Sequence, residues 1–376
     1  MTAKLFMPVD LGPVRLPNRI VVSPMCQYSA EDGCADPDWH RQHLTQLGYS
    51  GAGLVVIEAT AVERIGRITH GDLGLYSEAN EAALGRVLAS ARRFAMPGTR
   101  FGVQLAHAGR KASTERPWEG GGPLRPGQDP WVTVAPSAIA FAPEWHTPEA
   151  LDEAGIARIR DAFVASARRA VRLGLDVIEL HAAHGYLLHE FCSPLANRRT
   201  DRYGGRRDNR MRFPLEILEA VRAEVPRTTA VGMRITGTDW TEDGWTVEDA
   251  AALAAAAKER GAAYVCVSSG GIAPHVRIPV GPGYQVPLAA RVREETGIAT
   301  WAVGMIVTPE QAEAVVAEGK ADLVAIARGF LDDPRWGLHA AERLGAEIHF
   351  PPQYARSGAK VWPGAKLARS VEGVTG

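Results

Sequence analysis

The segment 177–186, VIELHAAHGY, predicts the fold of this chain more directly than any other part. It begins as a short apolar run, which is typical of a buried strand, and turns polar at its end with His181, His184 and Tyr186. In a barrel of parallel strands, the side chains that carry out chemistry lie at the carboxyl ends of the strands. The segment therefore predicts a parallel-barrel active site. The polar stretch 193–205 that follows is typical of a loop that shapes such a site.

The 376-residue chain alternates short apolar runs with longer amphipathic ones almost to its end. The predicted strands are 19–24, 54–59, 99–105, 177–181, 230–235, 264–268, 300–303 and 323–326. The predicted helices are 40–49, 80–94, 152–173, 208–225, 247–260, 286–296 and 309–318. This alternation predicts an α/β fold, a (β/α)8 TIM barrel. An open doubly wound sheet is the alternative, but it would be favoured by a GxGxxG turn after a strand, and the sequence has none.

The ends of the predicted helices are marked by residue type. Three residues stand where N-caps are expected: Asp152, Thr246 and Thr308. Four glycines follow a helix and precede a strand: Gly174, Gly261, Gly297 and Gly319. Glycine is the usual residue just after a helix because the backbone there is left-handed.

Two regions do not fit the barrel repeat. The connection 112–149 is rich in Pro, Gly and Trp and has no clear helix. Because it follows the third predicted strand, it is expected on the active-site face, either as a loop that caps the site or as a surface insertion. We predict a barrel domain at 1–350, which includes this excursion, and a C-terminal arm at 351–376.

Composition and charge argue against several classes of protein. The formal net charge of −1, from 42 basic and 43 acidic residues, indicates no nucleic acid or membrane-surface partner. The N-terminus lacks the apolar region of a signal peptide, and no apolar run approaches the roughly 18 residues of a membrane span. The four cysteines are dispersed without zinc or iron–sulfur spacing, so we expect a reducing, cytoplasmic compartment and no bound metal.

The tips of the later strands predict a ligand with a phosphate. The fifth strand ends near Arg234, and the last three end in segments rich in Gly, Ser and Arg at 268–271, 304–305 and 327–329. Loops after the seventh and eighth strands of such barrels commonly bind a phosphate through backbone N–H groups. Arg328, at the start of the final helix, adds a charged donor. The polar chemistry of the histidines is then expected on the opposite side.

Eight segments carry a resemblance to a known family: SPMCQYS, EATAV, GRITHGDLGLY, QLAHAGRKAS, IELHAAHGYLLHEFCSPLANRRTDRYGG, GPGYQV, AVGMI and ADLVAIARGFL. They resemble the old yellow enzymes, which are FMN-dependent ene-reductases, and most closely the bacterial subclass of thermophilic-like and xenobiotic reductases. The resemblance covers residues 5–356, and the run HAAHGYLLHEF is part of its most specific segment.

The resemblance implies a TIM barrel that holds non-covalent FMN. NADPH, or NADH, delivers hydride to FMN, and the flavin N5 passes it to the β-carbon of an α,β-unsaturated carbonyl or nitro compound. The residues implied to contact FMN are Ser23, Pro24, Met25, Cys26, Ala59, Gln104, Arg234, Ser268, Gly304, Ala327 and Arg328. Gln104 is implied to bond to the pyrimidine edge, and the last four to hold the ribityl phosphate. Arg234 is implied to lie near the flavin N1–C2=O, although a structural ion pair is an equally common role for such an arginine.

The histidines and the tyrosine of the opening segment resemble the family's catalytic set. His181 and His184 are implied to donate to the substrate's carbonyl or nitro oxygen, which withdraws electrons from the C=C bond. Histidines three residues apart can also share zinc, but no third ligand is evident in the sequence. Tyr186 is implied to protonate the α-carbon, since a phenol keeps its proton at neutral pH. The alternative for Tyr186 is an aromatic wall with water as the donor.

For four further residues, more than one role stays open. Cys26 and Tyr28 mark the subclass: Cys26 tunes the flavin potential or is a small buried hydrophobe, and Tyr28 contacts the substrate or forms a lid. Lys111 is a Schiff-base candidate in an aldolase-like barrel without flavin, which is the enzymatic alternative. Arg356 resembles the arginine that this subclass inserts into a neighbouring subunit's site, which implies a homodimer or homotetramer. A solvated terminal arginine is the alternative.

The resemblance thus implies an NAD(P)H-dependent FMN oxidoreductase whose partners are small activated alkenes. Two other functions stay open: a flavin-binding redox sensor, and an enzyme like 2,4-dienoyl-CoA reductase. The short chain and the dispersed cysteines disfavour the second, because that larger relative carries an iron–sulfur cluster.

Overall fold

A computed structural model describes residues 3–365, and within that range eight parallel strands close into a barrel. The barrel strands are β1 (Ile20–Val22), β2 (Leu54–Ala61), β3 (Arg100–Ala106), β4 (Val177–Ala182), β5 (Ala230–Thr236), β6 (Tyr264–Ser268), β7 (Ala299–Ala302) and β8 (Leu323–Ile326). Each strand pairs with the next, and β8 pairs with β1 to close the ring. The closed order confirms the predicted (β/α)8 barrel and excludes the open doubly wound sheet.

Helices surround the barrel and connect its strands. They are α1 (Trp39–Gly48), α2 (Glu78–Phe94), α3 (Glu153–Arg172), α4 (Leu187–Cys192), α5 (Arg207–Glu224), α6 (Val247–Glu259), α7 (Val286–Thr296), α8 (Pro309–Ala317), α9 (Arg328–Asp332) and α10 (Trp336–Arg343). All seven predicted helices are confirmed, with ends that shift by no more than about two residues. The short helices α4 and α10 are additions that the sequence pattern does not predict, whereas α9 begins at Arg328, where the final helix is expected.

Side chains fix the starts of three crossover helices as predicted. Asp152, Thr246 and Thr308 each accept a hydrogen bond from the backbone N–H three residues further on. In α6, Asp249 also reaches back to the N–H of Thr246 and completes a capping box. After α7, Gly297 adopts a φ of +58°, a left-handed conformation that favours glycine. These local features set where each crossover begins and ends.

An apolar floor closes the amino-terminal end of the barrel. A hairpin of two short strands, Val9–Leu11 and Val14–Leu16, lies across this end. Its fully buried Leu11 joins a core cluster with Tyr264 and Trp301, whose rings stack with centroids 3.9 Å apart. Large side chains fill the interior of such barrels. The carboxyl ends of the strands are therefore the place for a polar site.

The long connection 112–149 is attached to the carboxyl end of the barrel. The Arg116 Nε donates to the carbonyl oxygen of Tyr28 at 2.9 Å, and the Trp131 Nε1 donates to that of Ile65, also at 2.9 Å. Tyr28 follows β1 and Ile65 follows β2, so the connection lies on the predicted face.

The same connection contains regular structure that is not apparent from the sequence. A 3-10 turn spans Pro117–Glu119, and the short strand Val134–Ala135 pairs in parallel with Glu149–Ala150. Its role as a cap stays a prediction.

The predicted C-terminal arm begins with a 3-10 turn, Pro352–Ser357. The ring of Tyr354 in this turn packs on Tyr49 with centroids 5.9 Å apart, and the guanidinium of Arg335 lies 4.2 Å from the Tyr354 centroid. Residues 366–376 of the arm lie outside the described range, and the division at residue 350 stays a prediction. Across residues 3–365, no helix has the length and the apolar character needed to cross a membrane.

Candidate active site

The structure brings together the two histidines and the tyrosine at the end of β4. The ring of His181 lies edge to face with that of His184, at a centroid distance of 5.1 Å, and with that of Tyr186, at 5.0 Å. All three side chains therefore lie close together at this strand end. Among the described residues, no group of three His, Cys, Asp or Glu side chains is placed to hold a metal ion, so the zinc alternative gains no third ligand.

The loop after β4 has an unusual backbone that several contacts hold in place. His184 has a φ of +62°, a left-handed conformation that is uncommon for a residue with a side chain. Its N–H donates to Thr236 Oγ1 at 3.1 Å, and its carbonyl oxygen accepts from Lys111 Nζ at 2.9 Å. A Cβ added at Gly185, where φ is +72°, would lie 2.1 Å from the carbonyl oxygen of Gly271. Position 185 therefore requires glycine.

Both imidazoles are neutral at neutral pH. Burial lowers the pKa of His181 and of His184 well below the usual value, and the positive charge of Arg234 lowers both further. The Nδ1 of His181 accepts from the N–H of Ala183 at 3.3 Å, so its proton is on Nε2. The Nε2 of His184 lies 2.7 Å from Ser268 Oγ. The two rings are hydrogen-bonding groups rather than cations.

Two phenols and one thiol lie within electrostatic reach of one another at the same end of the barrel. Burial raises the pKa of Cys26, Tyr28 and Tyr186, and the negative form of Cys26 raises the pKa of both tyrosines further. All three groups therefore hold their protons at neutral pH. Tyr186 also lines a narrow cavity of about 10 Å³ together with Ala59 and Ala106. Predicted residues at the ends of β1, β2 and β4 thus lie close together: Cys26 and Tyr28, Ala59, and Tyr186.

A second cavity, of about 560 Å³, lies beside the histidines. Seven predicted site residues line it: Ser23, His184, Arg234, Ser268, Gly304, Ala327 and Arg328. Gly304 has a φ of +108°, and a Cβ there would lie 2.6 Å from Gln285 Nε2, so this strand tip also requires glycine. The structure therefore brings the predicted phosphate-side residues and Arg234 to one cavity.

The donors of this cavity fit a phosphorylated flavin. The Arg234 Nη1 donates to Ser23 Oγ at 3.2 Å, whereas its buried Nε has no hydrogen-bond partner within residues 3–365. A buried donor without a partner is costly, and a carbonyl oxygen or ring nitrogen of a flavin can satisfy it. On the far side, Arg328 and the backbone at Gly304 and Ala327 offer the charge and the N–H groups that a phosphate binds.

Gln104 lies in the barrel interior rather than on the wall of the large cavity. Its Nε2 donates to Glu179 Oε1 at 2.8 Å, and the hydroxyl of Tyr264 donates to the other oxygen at 3.3 Å. Burial raises the pKa of Glu179, while the nearby charge of Arg234 lowers it. The contact of Gln104 with the flavin stays a prediction. Sequence reasoning missed Glu179, although a carboxylate inside an apolar strand is an indication of a buried polar contact.

Seven predicted residues line neither cavity: Pro24, Met25, Cys26, Tyr28, Gln104, His181 and Arg356. Pro24 and Met25 are half-buried just after β1, where Met25 packs against the main core. Arg356 is exposed in the 3-10 turn that packs through Tyr354 on Tyr49, which directly follows α1 and precedes β2. That point is at the amino-terminal end of the barrel, so Arg356 lies away from the site of its own chain.

The contacts of Lys111 disfavour a Schiff-base role. Its Nζ donates to the carbonyl oxygens of His184, at 2.9 Å, and Gly271, at 3.1 Å, and lies 5.0 Å from the ring centroid of Tyr186. Burial lowers its pKa to about 8. A Schiff-base lysine must be neutral and open to the substrate carbonyl. Lys111 instead joins the loops after β4 and β6.

Sequence reasoning also missed Gln285, which precedes α7. Its Oε1 accepts from Ser269 Oγ at 2.5 Å and lies 3.3 Å from Ser268 Oγ. The segment GPGYQV contains this glutamine, but nothing in its local pattern indicates which loop the side chain reaches. Gln285 fixes the serine pair at the tip of β6.

Known proteins match this chain over nearly its whole length. The sequence model of the NADH:flavin oxidoreductase / NADH oxidase family matches residues 4–347. An NADPH dehydrogenase of Geobacillus sp. (strain WCH70) is 43% identical over 358 residues, which cover 95% of this chain and 99% of that protein. An NADH:flavin oxidoreductase of Gibberella zeae is 41% identical over 370 residues, covering 94% of this chain and 88% of that one.

Solved structures agree with these matches. Morphinone reductase superposes with a TM-score of 0.74 at 28% identity, covering 94% of this chain and 93% of its own. The matches favour flavin chemistry over the lysine-based barrel. The chain therefore belongs to the NADH:flavin oxidoreductase / NADH oxidase family, that of the old yellow enzymes, and is an FMN- and NAD(P)H-dependent oxidoreductase.

Proposed function

We propose that this enzyme reduces the C=C bond of α,β-unsaturated carbonyl or nitro compounds. The observation that carries the proposal is the grouping of His181, His184 and Tyr186, two neutral imidazoles beside a protonated phenol. When bound, FMN supplies the hydride chemistry between the nicotinamide and the substrate. The three side chains supply what that chemistry needs from the protein: hydrogen-bond donors for an oxygen and a proton for a carbon.

The histidines bind and polarise the substrate oxygen. His181 carries its proton on Nε2 because its Nδ1 accepts from the backbone. Ser268 Oγ lies 2.7 Å from Nε2 of His184 and 3.3 Å from Gln285 Oε1. We assign its single proton to the shorter contact, which places the ring proton of His184 on Nδ1. Two N–H groups on one oxygen draw electrons from the conjugated C=C bond and stabilise the enolate that forms.

Tyr186 gives its proton to the α-carbon of the substrate. Burial raises the pKa of its phenol, so the proton is present at any working pH. The carbon that receives it becomes strongly basic once hydride has added to the β-carbon, and this basicity drives the transfer. Tyr28, on the same side, closes over the substrate or contacts its oxygen.

Residues at and near the strand tips would hold the FMN. We assign the ring to Ser23, Pro24, Met25, Cys26, Ala59 and Gln104, and the phosphate to Ser268, Gly304, Ala327 and Arg328. Arg234 would lie near N1–C2=O of the bound flavin, where its buried Nε would gain an acceptor. A fixed cation there favours the reduced flavin.

We also propose a homodimer or homotetramer in which Arg356 completes a neighbouring site. The exposed position of Arg356, away from the carboxyl end of its own barrel, supports this assignment. Unchanged substrate kinetics in Arg356→Ala would remove it from that role.

Isotope labelling tests the proposed reaction. With NADPH that carries deuterium at the transferable position and cyclohexenone in ordinary water, we expect cyclohexanone with deuterium on the β-carbon. With ordinary NADPH in D2O, the label is expected on the α-carbon. Oxidation of NADPH without any reduced alkene would instead favour the flavin-binding redox sensor.

A further inference from the structure

Three buried side chains lie beneath the loop that carries His184 and Tyr186. They are His189 in α4, Thr236 at the end of β5, and Asp239 just after it, and each is at most 1% exposed. We refer to these three residues as the loop anchor. None of them belongs to the set proposed to contact substrate or FMN.

The loop anchor accepts hydrogen bonds from two successive backbone N–H groups of the loop, those of His184 and Gly185. The Nδ1 of His189 accepts from the N–H of Gly185 at 2.9 Å, and Thr236 Oγ1 accepts from the N–H of His184 at 3.1 Å. Thr236 Oγ1 also lies 3.3 Å from the Nδ1 of His189, so its hydroxyl can donate there. Two successive backbone donors therefore end on the loop anchor.

These contacts define the tautomer of His189. Because its Nδ1 accepts a hydrogen bond, the ring is neutral and its proton is on Nε2. Nε2 lies 3.1 Å from Asp239 Oδ1, off the line of a strong hydrogen bond, so the attraction is mainly electrostatic. The other oxygen of Asp239 accepts from Ser193 Oγ at 2.6 Å and from the N–H of Trp245 at 2.8 Å. An acceptor on the Nε2 side keeps Nδ1 free for Gly185.

Asp239 is ionised in this setting. Burial alone would raise its pKa, but the adjacent Nε2–H of His189 and the hydrogen bonds from Ser193 and the N–H of Trp245 hold the pKa below its usual value. The negative charge of Asp239 beside Nε2 of His189 favours the tautomer with the proton on Nε2, which leaves Nδ1 free to accept from Gly185.

The loop needs such support because of its backbone. A non-glycine residue with the φ of +62° seen at His184 persists only where its surroundings fix it. Proton transfer and hydrogen bonding to one substrate depend steeply on distance and direction. A loop that relaxed would therefore separate the donors that must act together.

We propose that His189 and Asp239 are positioning residues that hold His184 and Tyr186 in the relative positions that alkene reduction requires. The proposal rests on the proposed function, since it requires those two side chains to act on the substrate. Neither His189 nor Asp239 touches the substrate itself; both act through the backbone of the loop.

The two ring nitrogens of His189 can be replaced one at a time. In His189→Asn, the amide oxygen takes the place of Nδ1 and still accepts from Gly185. In His189→Gln, the longer side chain reaches toward Asp239 and leaves Gly185 without its acceptor. Both variants remove the ring, so each controls for the loss of packing in the other.

We expect the two variants to differ in the alkene step. Reoxidation of the NADPH-reduced enzyme by cyclohexenone should slow on the order of 10- to 100-fold in His189→Gln, the usual effect of a lost buried hydrogen bond, and by less than about 10-fold in His189→Asn. Amide hydrogen exchange at residues 184–187 should be faster in the Gln variant than in the Asn variant. Their midpoints of thermal unfolding should be similar.

A third variant tests the tautomer. In Asp239→Asn, the single amide oxygen is expected to face the Ser193 and Trp245 donors, which turns the NH2 group toward Nε2 of His189. The proton of His189 then moves to Nδ1, where it faces the N–H of Gly185, and the hydrogen bond between them is lost. We expect Asp239→Asn to show the slow alkene step and the fast loop exchange of His189→Gln.

Equal rates and equal loop exchange in the Asn and Gln variants would overturn the proposal. A wild-type enzyme that reduces no alkene would contradict the proposed function instead, and loop exchange would still show whether the loop anchor holds the loop.

Discussion

The imidazole of His181 and the phenol of Tyr186 meet edge to face with their ring centroids 5.0 Å apart. Burial lowers the pKa of the first and raises that of the second, so the same environment keeps both groups uncharged. A hydrogen-bond donor for the substrate oxygen and a proton source for the substrate α-carbon thus lie side by side at neutral pH. The predictions that follow separate their roles and those of the surrounding residues.

Tyr186→Phe removes the proton and keeps the ring that packs on His181. We expect the reoxidation of reduced flavin by cyclohexenone to slow by about 10²-fold or more, which is the usual contribution of a general acid. Anaerobic flavin reduction by NADPH should change little, because it needs no proton from the phenol. Stopped-flow spectroscopy of each half-reaction measures both rates. Equal slowing of the two would argue against a proton-donor role.

His181→Ala removes one of the two donors to the ligand oxygen. We expect phenolic ligands to bind about 10- to 100-fold more weakly, since a hydrogen bond to a charged oxygen is lost. Titration of their charge-transfer absorbance with the flavin gives the Kd. His181→Asn keeps one N–H donor and should lose less affinity. Unchanged binding in the Ala variant would remove His181 from this role.

Arg328→Ala should weaken the binding of the FMN phosphate and leave the contacts of the flavin ring intact. We expect FMN to bind about 10- to 100-fold more weakly, the effect of losing a charge-assisted hydrogen bond, whereas riboflavin, which lacks the phosphate, should bind as it does to the wild type. Fluorescence titration of the flavin-free protein measures both. An equal loss for the two flavins would place Arg328 elsewhere.

Gly185→Ala tests the close approach of the loops after β4 and β6. The added Cβ would lie 2.1 Å from the carbonyl oxygen of Gly271, so the variant should lose at least about 3 kcal/mol of unfolding free energy. Gly205→Ala is the matched control, because Gly205 has a similar φ of +73° and nothing within 4 Å of the added Cβ. Its expected loss is about 1 to 2 kcal/mol. Similar denaturant midpoints for the two variants would contradict the close contact.

Glu190, buried in α4, should make stability depend on pH. Its Oε1 accepts from the N–H of Arg110 at 2.9 Å, and its Oε2 has no partner within residues 3–365. Burial raises its pKa to about 8, whereas in the unfolded chain the value is about 4.3. Between these values the folded state binds a proton that the unfolded state has lost. Raising the pH through this window therefore favours unfolding, by up to about 1.4 kcal/mol per pH unit.

Glu190→Gln removes that dependence because its amide does not titrate. The unfolding free energy of the variant should rise relative to the wild type as the pH increases from about 5 to about 8. Urea unfolding at a series of pH values measures the difference. A difference that stays constant with pH would show that the carboxyl is ionised in the folded state.

The fold could be predicted because its determinants are local. Short apolar runs, N-cap residues such as Thr246 and helix-ending glycines such as Gly297 each occur within a few residues of the boundary that they set. The helix α4 could not be predicted in the same way, because all six of its residues are buried and it therefore shows no amphipathic period.

The candidate site was predictable only in part. His181, His184 and Tyr186 are close in sequence, and the strand-tip rule gathers Ser23, Arg234 and Arg328 once the barrel is assumed. The side-chain partners of these residues are far apart in the chain. No local pattern indicates that Gln285 reaches Ser269, or that Glu179 holds Gln104 inside the barrel.

The visible spectrum of the purified holoenzyme, recorded without oxygen before and after NADPH and then after cyclohexenone, tests the central claim most directly. The flavin bands should bleach with NADPH and recover fully with cyclohexenone, which becomes cyclohexanone. Bands that bleach with NADPH and recover only when oxygen is admitted would contradict the assignment as an alkene reductase.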